Sequence, residues 1–461
     1  MIRPATAADP AEAVAFLDRH PEIAFVDLMY TNLAGVARGK RLRRHEVVAA
    51  YTEGRYLPGS VLVVDITGLD IEELGTVWAD GDADRLAWPV KGSLAATPWQ
   101  GADSATALLS LHELDGRPCA LDPRAVLQRV LDRFRADGLT PIVACELEFY
   151  LIDAVRTADG GIRALPDLSG RHTDHAQVYG IAELDGAATF LRRIWAACDA
   201  MGVPAGTAIA EYAAGQFEIT LAHRSDALTA ADDAVRFKHA AKGCAAALGQ
   251  AATFMAKPFA DRAGSGLHIH VSVADAQGTN IFAAESLTGT RFLREAIGGV
   301  TAGIADGMAI FAPNANSYRR FRPNSHAPIR AGWGINQRTV PVRVPAGPAA
   351  SRRFEHRVAG ADANPYLAVA AVLAGVHDGL ARRVDPGPPT TSRGDGETAS
   401  TGARLPTDWA YAIERFARST MLIDYFGLDA VEIFATLKRV EHERYASVVT
   451  ALDYDWVLRS A

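Results

Sequence analysis

Apolar and polar positions along the chain follow two periods. Residues 21–30 mix apolar and polar positions as a strand does, and Asn32, Gly35 and Gly39 punctuate a turn around the basic run Arg38–Arg44. A second strand is predicted at Val61–Ile66, after the turn formers Pro58, Gly59 and Ser60. At Leu121-Asp122-Pro123 the period changes. Val126, Val130, Leu131 and Phe134 recur at helical spacing, with Asp122 as the N-cap and Pro123 in the first helical position. Further helices are predicted over Ala188–Met201, Leu228–Leu248, Arg291–Ile310, Pro365–Val376, Thr407–Phe416 and Asp429–Thr450, alternating with short strands. No fixed period repeats, which argues against a solenoid.

The change of period divides the 461 residues into a small, mixed β-rich domain over residues 1–116 and a larger domain over residues 117–461. A chain that is 49% hydrophobic and 22% charged has the balance of a soluble globular protein. Its formal net charge of -7 supplies no broad cationic field for a nucleic acid or an anionic membrane, so anionic substrates need a local basic site. No apolar run approaches the roughly 20 residues that span a bilayer. The amino terminus carries Asp9, Glu12, Asp18 and Glu22 rather than the basic-then-apolar order of a signal peptide, and a cytoplasmic protein is expected. Cys119, Cys145, Cys198 and Cys244 lie too far apart for a Cys-x-x-Cys site and read as buried small hydrophobes. Asp385–Arg404 is rich in Gly, Pro and polar residues and reads as an exposed loop.

The informative feature is a set of strand-like segments with acidic, imidazole or guanidinium side chains two apart, because a strand sends positions i and i+2 to the same face. Glu146 and Glu148 share one face, with Cys145, Leu147 and Phe149 behind them. His268, His270 and Ser272 share another, backed by Leu267, Ile269 and Val271. In Arg353-Phe354-Glu355-His356-Arg357, two guanidiniums flank a carboxylate. Glu211 and Glu218 have an odd separation, which Gly215 can reset through a bulge or turn. Any one of these segments alone is more often a solvated sheet face. Together, five carboxylates and a histidine on otherwise apolar strands call for cations, and oxygen-rich sites suit Mg²⁺ or Mn²⁺ better than zinc. Arg319, Arg320, Arg322, Arg338 and Arg343 add guanidiniums suited to carboxylate or phosphate, or else a solvated loop with structural ion pairs. No P-loop and no dinucleotide-binding glycine motif is present.

In this order the segments resemble glutamine synthetase. The likeness runs from Phe25-Val26-Asp27-Leu28 and Arg38-Gly39-Lys40 through Glu146-Leu147-Glu148-Phe149, Gly215-Gln216-Phe217-Glu218, Thr253-Phe254-Met255-Ala256-Lys257-Pro258 and Gly264-Ser265-Gly266-Leu267-His268-Ile269-His270. It continues in Asn316-Ser317-Tyr318 and Asp362-Ala363-Asn364-Pro365-Tyr366-Leu367. The resemblance implies an α+β fold, with a small N-terminal β-grasp domain and a large α/β catalytic domain on a curved antiparallel sheet. It implies a homo-oligomer, a dodecamer of two hexameric rings, with ATP and L-glutamate as substrates. Two or more Mg²⁺ or Mn²⁺ ions are expected per site. Glu148, Glu211 and Glu218 would hold the metal nearer glutamate, and Glu146, His268 and Glu355 the metal at the ATP phosphates. His270 and Ser272 would lie by the nucleotide, with Arg338, Arg343 and Arg353 around its phosphates. Arg320 and Arg357 would hold the glutamate carboxylate, and the Gly264–Gly266 loop would shape that pocket. The chemistry implied is phosphorylation of the glutamate side-chain carboxylate to γ-glutamyl phosphate, then attack by an amine.

The sequence departs from the family where ammonium is bound. His326 stands in Asn324-Ser325-His326-Ala327-Pro328 where the family has a flap glutamate, and Pro58 replaces an aspartate ahead of Gly59-Ser60; apart from the ammonium site, Ala263 replaces the asparagine that precedes Gly-Ser-Gly at the glutamate contact. Losing two charge-assisted contacts at about 1.5–3 kcal/mol each weakens a site that recognises ammonium by charge alone. The pattern therefore resembles the γ-glutamyl-amine ligases of the superfamily, acting on polyamines, ethanolamine or small alkylamines. His326 then either borders the amine and accepts its proton or is only a flap residue with space around it. Asp65, Asp70, Glu72 and Glu73 either meet a distal ammonium or lie in a solvated loop. An ordinary glutamine synthetase with an atypical ammonium site and a catalytically silent homologue are the competing readings.

Overall fold

The computed structural model describes residues 3–75, 81–323, 325–390 and 402–461. Its first sheet holds β1 (Phe25–Thr31), β2 (Ala37–Arg43), β3 (Arg55–Pro58), β4 (Asp84–Pro89), β5 (Ala95–Ala96) and β6 (Ser104–His112). The order is β2-β1-β6-β4-β3, with β5 paired to β6. β1 and β6 run parallel and the other pairs antiparallel, an arrangement compatible with the expected β-grasp. The strand predicted at Val61–Ile66 is not one. Gly59–Leu62 is a 3₁₀ turn, Leu33 N–H donates to the Leu62 carbonyl (2.9 Å) and Asn32 Nδ2 to the Val64 carbonyl (3.0 Å). The run is apolar because Leu62 and Val63 are buried in the core, not because it joins a ladder.

The second sheet holds β7 (Thr140–Asp153), β8 (Ala205–Ala210), β9 (Gln216–Leu221), β10 (Gln250–Thr253), β11 (Leu267–Ala274), β12 (Trp333–Ile335), β13 (Val342–Val344) and β14 (Phe354–His356). Its order is β12-β13-β14-β11-β7-β9-β8, with β10 paired to β7. The pairs are antiparallel except β12 and β13, which correct the all-antiparallel expectation with a parallel edge. Register decides the site. Glu146 lies opposite His268, Glu148 opposite Glu218, and both His270 and Arg343 opposite Glu355, and directly opposed residues share a face.

The other face carries Cys145, Leu147, Phe149, Ile219, Ile269, Val271 and Phe354, all buried. Helices Pro123–Ala136 and Ala227–Ala246 pack on β7, and Pro365–Arg382 packs on both. Burying one such side chain contributes about 1.5–3 kcal/mol, so a one-residue slip that put the carboxylates among the helices would be heavily disfavoured. Asp122 caps the first of these helices by accepting from Arg124 N–H (2.9 Å), as predicted. The helix predicted over Arg291–Ile310 is two, Arg291–Gly303 and Met308–Phe311, interrupted by turns that end at Gly307. All four cysteines are buried and free. The middle of the predicted Asp385–Arg404 loop lies outside the described residues. Its flanks are tied to the β12 region, where Thr390 N–H donates to the Trp333 carbonyl and Ala331 N–H to the Ala403 carbonyl (both 2.8 Å). Among the described residues no helix is long and apolar enough to cross a membrane.

Candidate active site

The polar face of the second sheet forms the floor of a cavity of about 730 Å³. Glu146, Glu148, Glu211, Glu218 and His268 line it, with Gly264, Arg320, His326, Arg338 and Arg357 also in its wall. Glu211 reaches the floor because Gly215, at φ 73°, turns the chain between β8 and β9. Glu211 N–H donates to the Gln216 carbonyl (2.9 Å), closing that turn. The turn resets the alternation for the two carboxylates and leaves Glu218 on the face of Glu148.

Three sets of ligand atoms lie within 4.8 Å of one another: Glu148, Glu211 and Glu218; Glu146, Glu218 and His268; and Glu146, His270 and Glu355. The first is the set that the resemblance implied. In the second implied set, His268 Nδ1 lies 3.4 Å from Glu146 Oε2 and 3.6 Å from Glu355 Oε1. His270, placed by the nucleotide from the sequence, comes closer to the cage, with Nε2 2.9 Å from Glu146 Oε1. Arg353 Nε donates to His270 Nδ1 (3.2 Å). Ser272 is buried two residues further along the same face.

The charges are unbalanced across the cage. Burial first, then Glu146, Glu148, Glu211 and Glu355, push the Glu218 carboxyl up to about 10. Burial and the neighbouring Glu148 push Glu211 up to about 7. Burial also works against ionised Glu146, but hydrogen bonds with His268 and His270 outweigh it and hold that carboxyl well below its usual range. Glu355 is depressed to about 2, because Arg357, His268 and His270 overcome its burial. On the Glu148, Glu211 and Glu218 side, Arg338 and Arg357 lower the Glu211 value but do not outweigh burial and Glu148. Hard divalent cations such as Mg²⁺ or Mn²⁺ fit this oxygen-rich donor set.

The arginines divide differently from the sequence expectation. Glu355 is flanked by Arg343, whose Nη1 donates to Oε2 (2.7 Å), and by Arg357 on Oε1, whereas Arg353 turns to His270. Arg357 also donates through Nε to the Arg338 carbonyl (3.1 Å). Arg320 borders the cavity, but its guanidinium donates to the carbonyls of Val358 (2.7 Å) and Arg357 (3.3 Å), so it braces the wall beneath the site. The Gly264–Gly266 loop closes against it. Gly266 N–H donates to Glu148 Oε2 (2.7 Å), Gln216 Nε2 to the Gly264 carbonyl (3.1 Å) and Tyr150 Oη to the Ala263 carbonyl (2.6 Å).

Other motif residues prove to be scaffold. Lys257 and Asn316 exchange hydrogen bonds (2.9 and 2.8 Å), and Ser317 Oγ donates to Asp362 (2.7 Å), pinning the segment that carries Arg320. Asp65 is buried, accepts from Thr67, Gly68 and Leu69, and pairs with Arg444 (2.6 Å), which excludes both sequence readings of that residue. Tyr179 and Tyr212 line the cavity and had no pattern to reveal them, since each is a single aromatic in a loop. His326 lines the same cavity and stacks on Tyr212.

A cluster of carboxylates and imidazoles on one sheet face, walled by arginines, has the donor set to hold metal ions. Residues 120–457 match the glutamine synthetase catalytic domain, and the chain belongs to the glutamine synthetase family of ATP-dependent carbon–nitrogen ligases. It is 36% identical over 453 residues to gamma-glutamylputrescine synthetase PuuA of Escherichia coli (strain K12), covering 98% of this chain and 95% of that one. It is 33% identical over 445 residues to gamma-glutamylethanolamide synthetase GlnA4 of Streptomyces coelicolor (strain ATCC BAA-471 / A3(2) / M145), covering 95% and 92%. The solved structure of apo GmaS without ligand is similar at a TM-score of 0.83 and 29% identity, covering 97% of this chain and 99% of that one. These likenesses support a glutamate–amine ligase.

Proposed function

We propose that this enzyme joins the side-chain carboxyl of L-glutamate to an organic amine (a polyamine, ethanolamine or small alkylamine) through γ-glutamyl phosphate. The observation that supports the reading is a cluster of carboxylates and imidazoles that could hold metal, with His326, not a carboxylate, lining the same cavity. Glu148, Glu211 and Glu218 would hold one divalent cation, and Glu146, His268 and Glu355 a second. Bound there, Mg²⁺ or Mn²⁺ supplies charge neutralisation at the transferring phosphoryl group. Arg338, Arg343 and Arg353 face the ATP phosphates, with His270 and Ser272 beside the nucleotide. Arg357, with Arg320 and the Gly264–Gly266 loop behind it, receives the glutamate carboxylate. The glutamate side-chain oxygen attacks the γ-phosphorus and ADP leaves. The neutral amine then attacks the acyl carbon, phosphate leaves, and the imidazole of His326 takes the amine proton.

Purified protein with Mg²⁺, ATP and glutamate is to be assayed for phosphate release against ammonium and an amine panel. Amine rates well above the ammonium rate are expected. Ammonium rates far above every amine would return the chain to ordinary glutamine synthesis, and no turnover would identify a silent homologue. The proposal includes the division at residues 116/117, supported by the end of β6 at His112 and the helix start at Pro123. It also includes a cytoplasmic homo-oligomer, a dodecamer of two rings. The apolar residues Val448, Val449, Leu452 and Trp456, exposed near the carboxy terminus, support self-association, which light scattering tests.

A further inference from the structure

The His326 backbone sits at φ 56°, in the left-handed region that L residues other than Asn, Asp and His rarely adopt. The turn ahead of it is pinned by Ser325, whose Oγ donates to the carbonyls of Arg322 (2.6 Å) and Arg320 (3.1 Å). At this turn the His326 ring stacks on a neighbour. The imidazole lies 5.5 Å from the Tyr212 ring, centroid to centroid, with 28° between the planes. Tyr212 follows Glu211 of the cage directly, and its side chain is kept largely in the open, at 61% exposure. An open aromatic stack on a left-handed turn, one residue from the cage and lining the same cavity, has no role in the core.

We infer that Tyr212 and His326 together form the specificity wall of the amine site, selecting primary amines that carry an alkyl chain of several carbons. The inference rests on the proposed amine-ligase reading and deepens it. The stacked rings offer a slab of ring carbons between their polar atoms, and Tyr179 and Ile209 line the cavity with them. An alkyl chain on the nitrogen loses water against that slab, whereas ammonium has no apolar surface to bury. A second ammonium on a longer chain would gain further from the ring faces. Tyr212 acts here as a specificity-determining residue, through the part of the amine that does not react, and His326 adds this contact to the proton transfer proposed above.

The test uses the full-length enzyme with Mg²⁺, ATP and glutamate, and measures kcat/KM for methyl-, ethyl-, propyl- and butylamine. For the wild type, kcat/KM should rise by about fourfold per methylene. In Tyr212→Ala and in His326→Asn, which keeps a residue tolerant of the left-handed backbone, the rise should flatten to below about twofold per methylene. The double variant should be no flatter than either single one, because each loss already breaks the stack. Tyr212→Phe retains the ring and should retain the slope. The slope is a ratio within one protein, so a general loss of activity does not imitate the effect. A slope unchanged in Tyr212→Ala and His326→Asn, with amines still consumed, would overturn this inference alone. Turnover of ammonium with none of the amines would overturn the amine-ligase reading together with it.

Discussion

Glu148 on β7 stands directly opposite Glu218 on β9, two carboxylates at a cross-strand position where opposite charges are favoured. Ionising both would set like charges directly opposite each other, and burial adds to that cost, so folding must hold Glu218 protonated well above its ordinary range. The pair does not serve fold stability, and the proposed cation site gives it a use. Glu218→Gln should therefore raise the Tm in EDTA by about 1–3 °C, abolish the stabilisation given by Mg²⁺, and lower turnover at least about 100-fold. Differential scanning fluorimetry with and without Mg²⁺ checks it, and a lower Tm in EDTA would show that the carboxylate serves the fold.

Protons and cations compete for the same oxygens, which makes the metal effect depend on pH. Burial, then Glu148, raises the Glu211 carboxyl from 4.5 to about 7, so the folded chain binds that proton more tightly than the unfolded chain does. The contribution to metal-free stability is complete below the ordinary glutamate value and is lost as pH rises through about 7. A divalent cation held by Glu211, as proposed, would replace the proton and cancel the loss. The Tm difference between Mg²⁺-loaded and EDTA-treated protein should widen steadily from about pH 5 to about pH 8. A difference independent of pH in fluorimetric titrations would remove Glu211 from the cation site.

What could be read in the sequence was what depends on local periodicity. Two-residue spacing placed Glu146 with Glu148 and His268 with His270, because a strand alternates whatever its neighbours are. The turn at Gly215 was legible for a similar reason, since only a reset could bring Glu211 to Glu218. The same spacing misled at Glu355, where Arg353 sits two residues away but Arg343, from another strand, takes the carboxylate. Pairing between strands is set by packing of the whole sheet and leaves no mark in a short window. Val61–Ile66 failed differently, because an apolar run records burial and not the conformation that achieves it. The stack of Tyr212 on His326 joins two loops distant in sequence and had no periodic signal at all.

Glu355 is 1% exposed, and both its oxygens are held by guanidiniums, from Arg343 and Arg357. Removing one member of a buried ion pair costs about 3–5 kcal/mol, mainly through the charge left behind. Glu355→Gln strands two guanidiniums, whereas Arg343→Met leaves the carboxylate with Arg357. Urea unfolding should rank Glu355→Gln below Arg343→Met and both below the wild type. The reverse ranking would mean that Arg357 is not the main partner of the carboxylate.

Gly266 separates the wall from the cage. A Cβ there would lie 2.8 Å from Arg320 Nη2 and 2.9 Å from His268 Nε2, both closer than real contacts allow. Arg320 is held by the carbonyls of Val358 and Arg357, so the imidazole is the group that yields. Displacing it disturbs the 3.4 Å approach of His268 Nδ1 to Glu146, while the apolar core behind the sheet is untouched. At Gly264 the added Cβ would instead meet the Ala256 carbonyl at 2.6 Å, a backbone atom that cannot move without its strand connection. Gly266→Ala should thus keep its Tm within about 2 °C of the wild type while the Mg²⁺ concentration for half-maximal activity rises about tenfold. Gly264→Ala should lose several degrees of Tm. If Gly266→Ala melted early with its Mg²⁺ requirement unchanged, His268 would not be the group that gives way, and its place among the cation ligands would have to be abandoned.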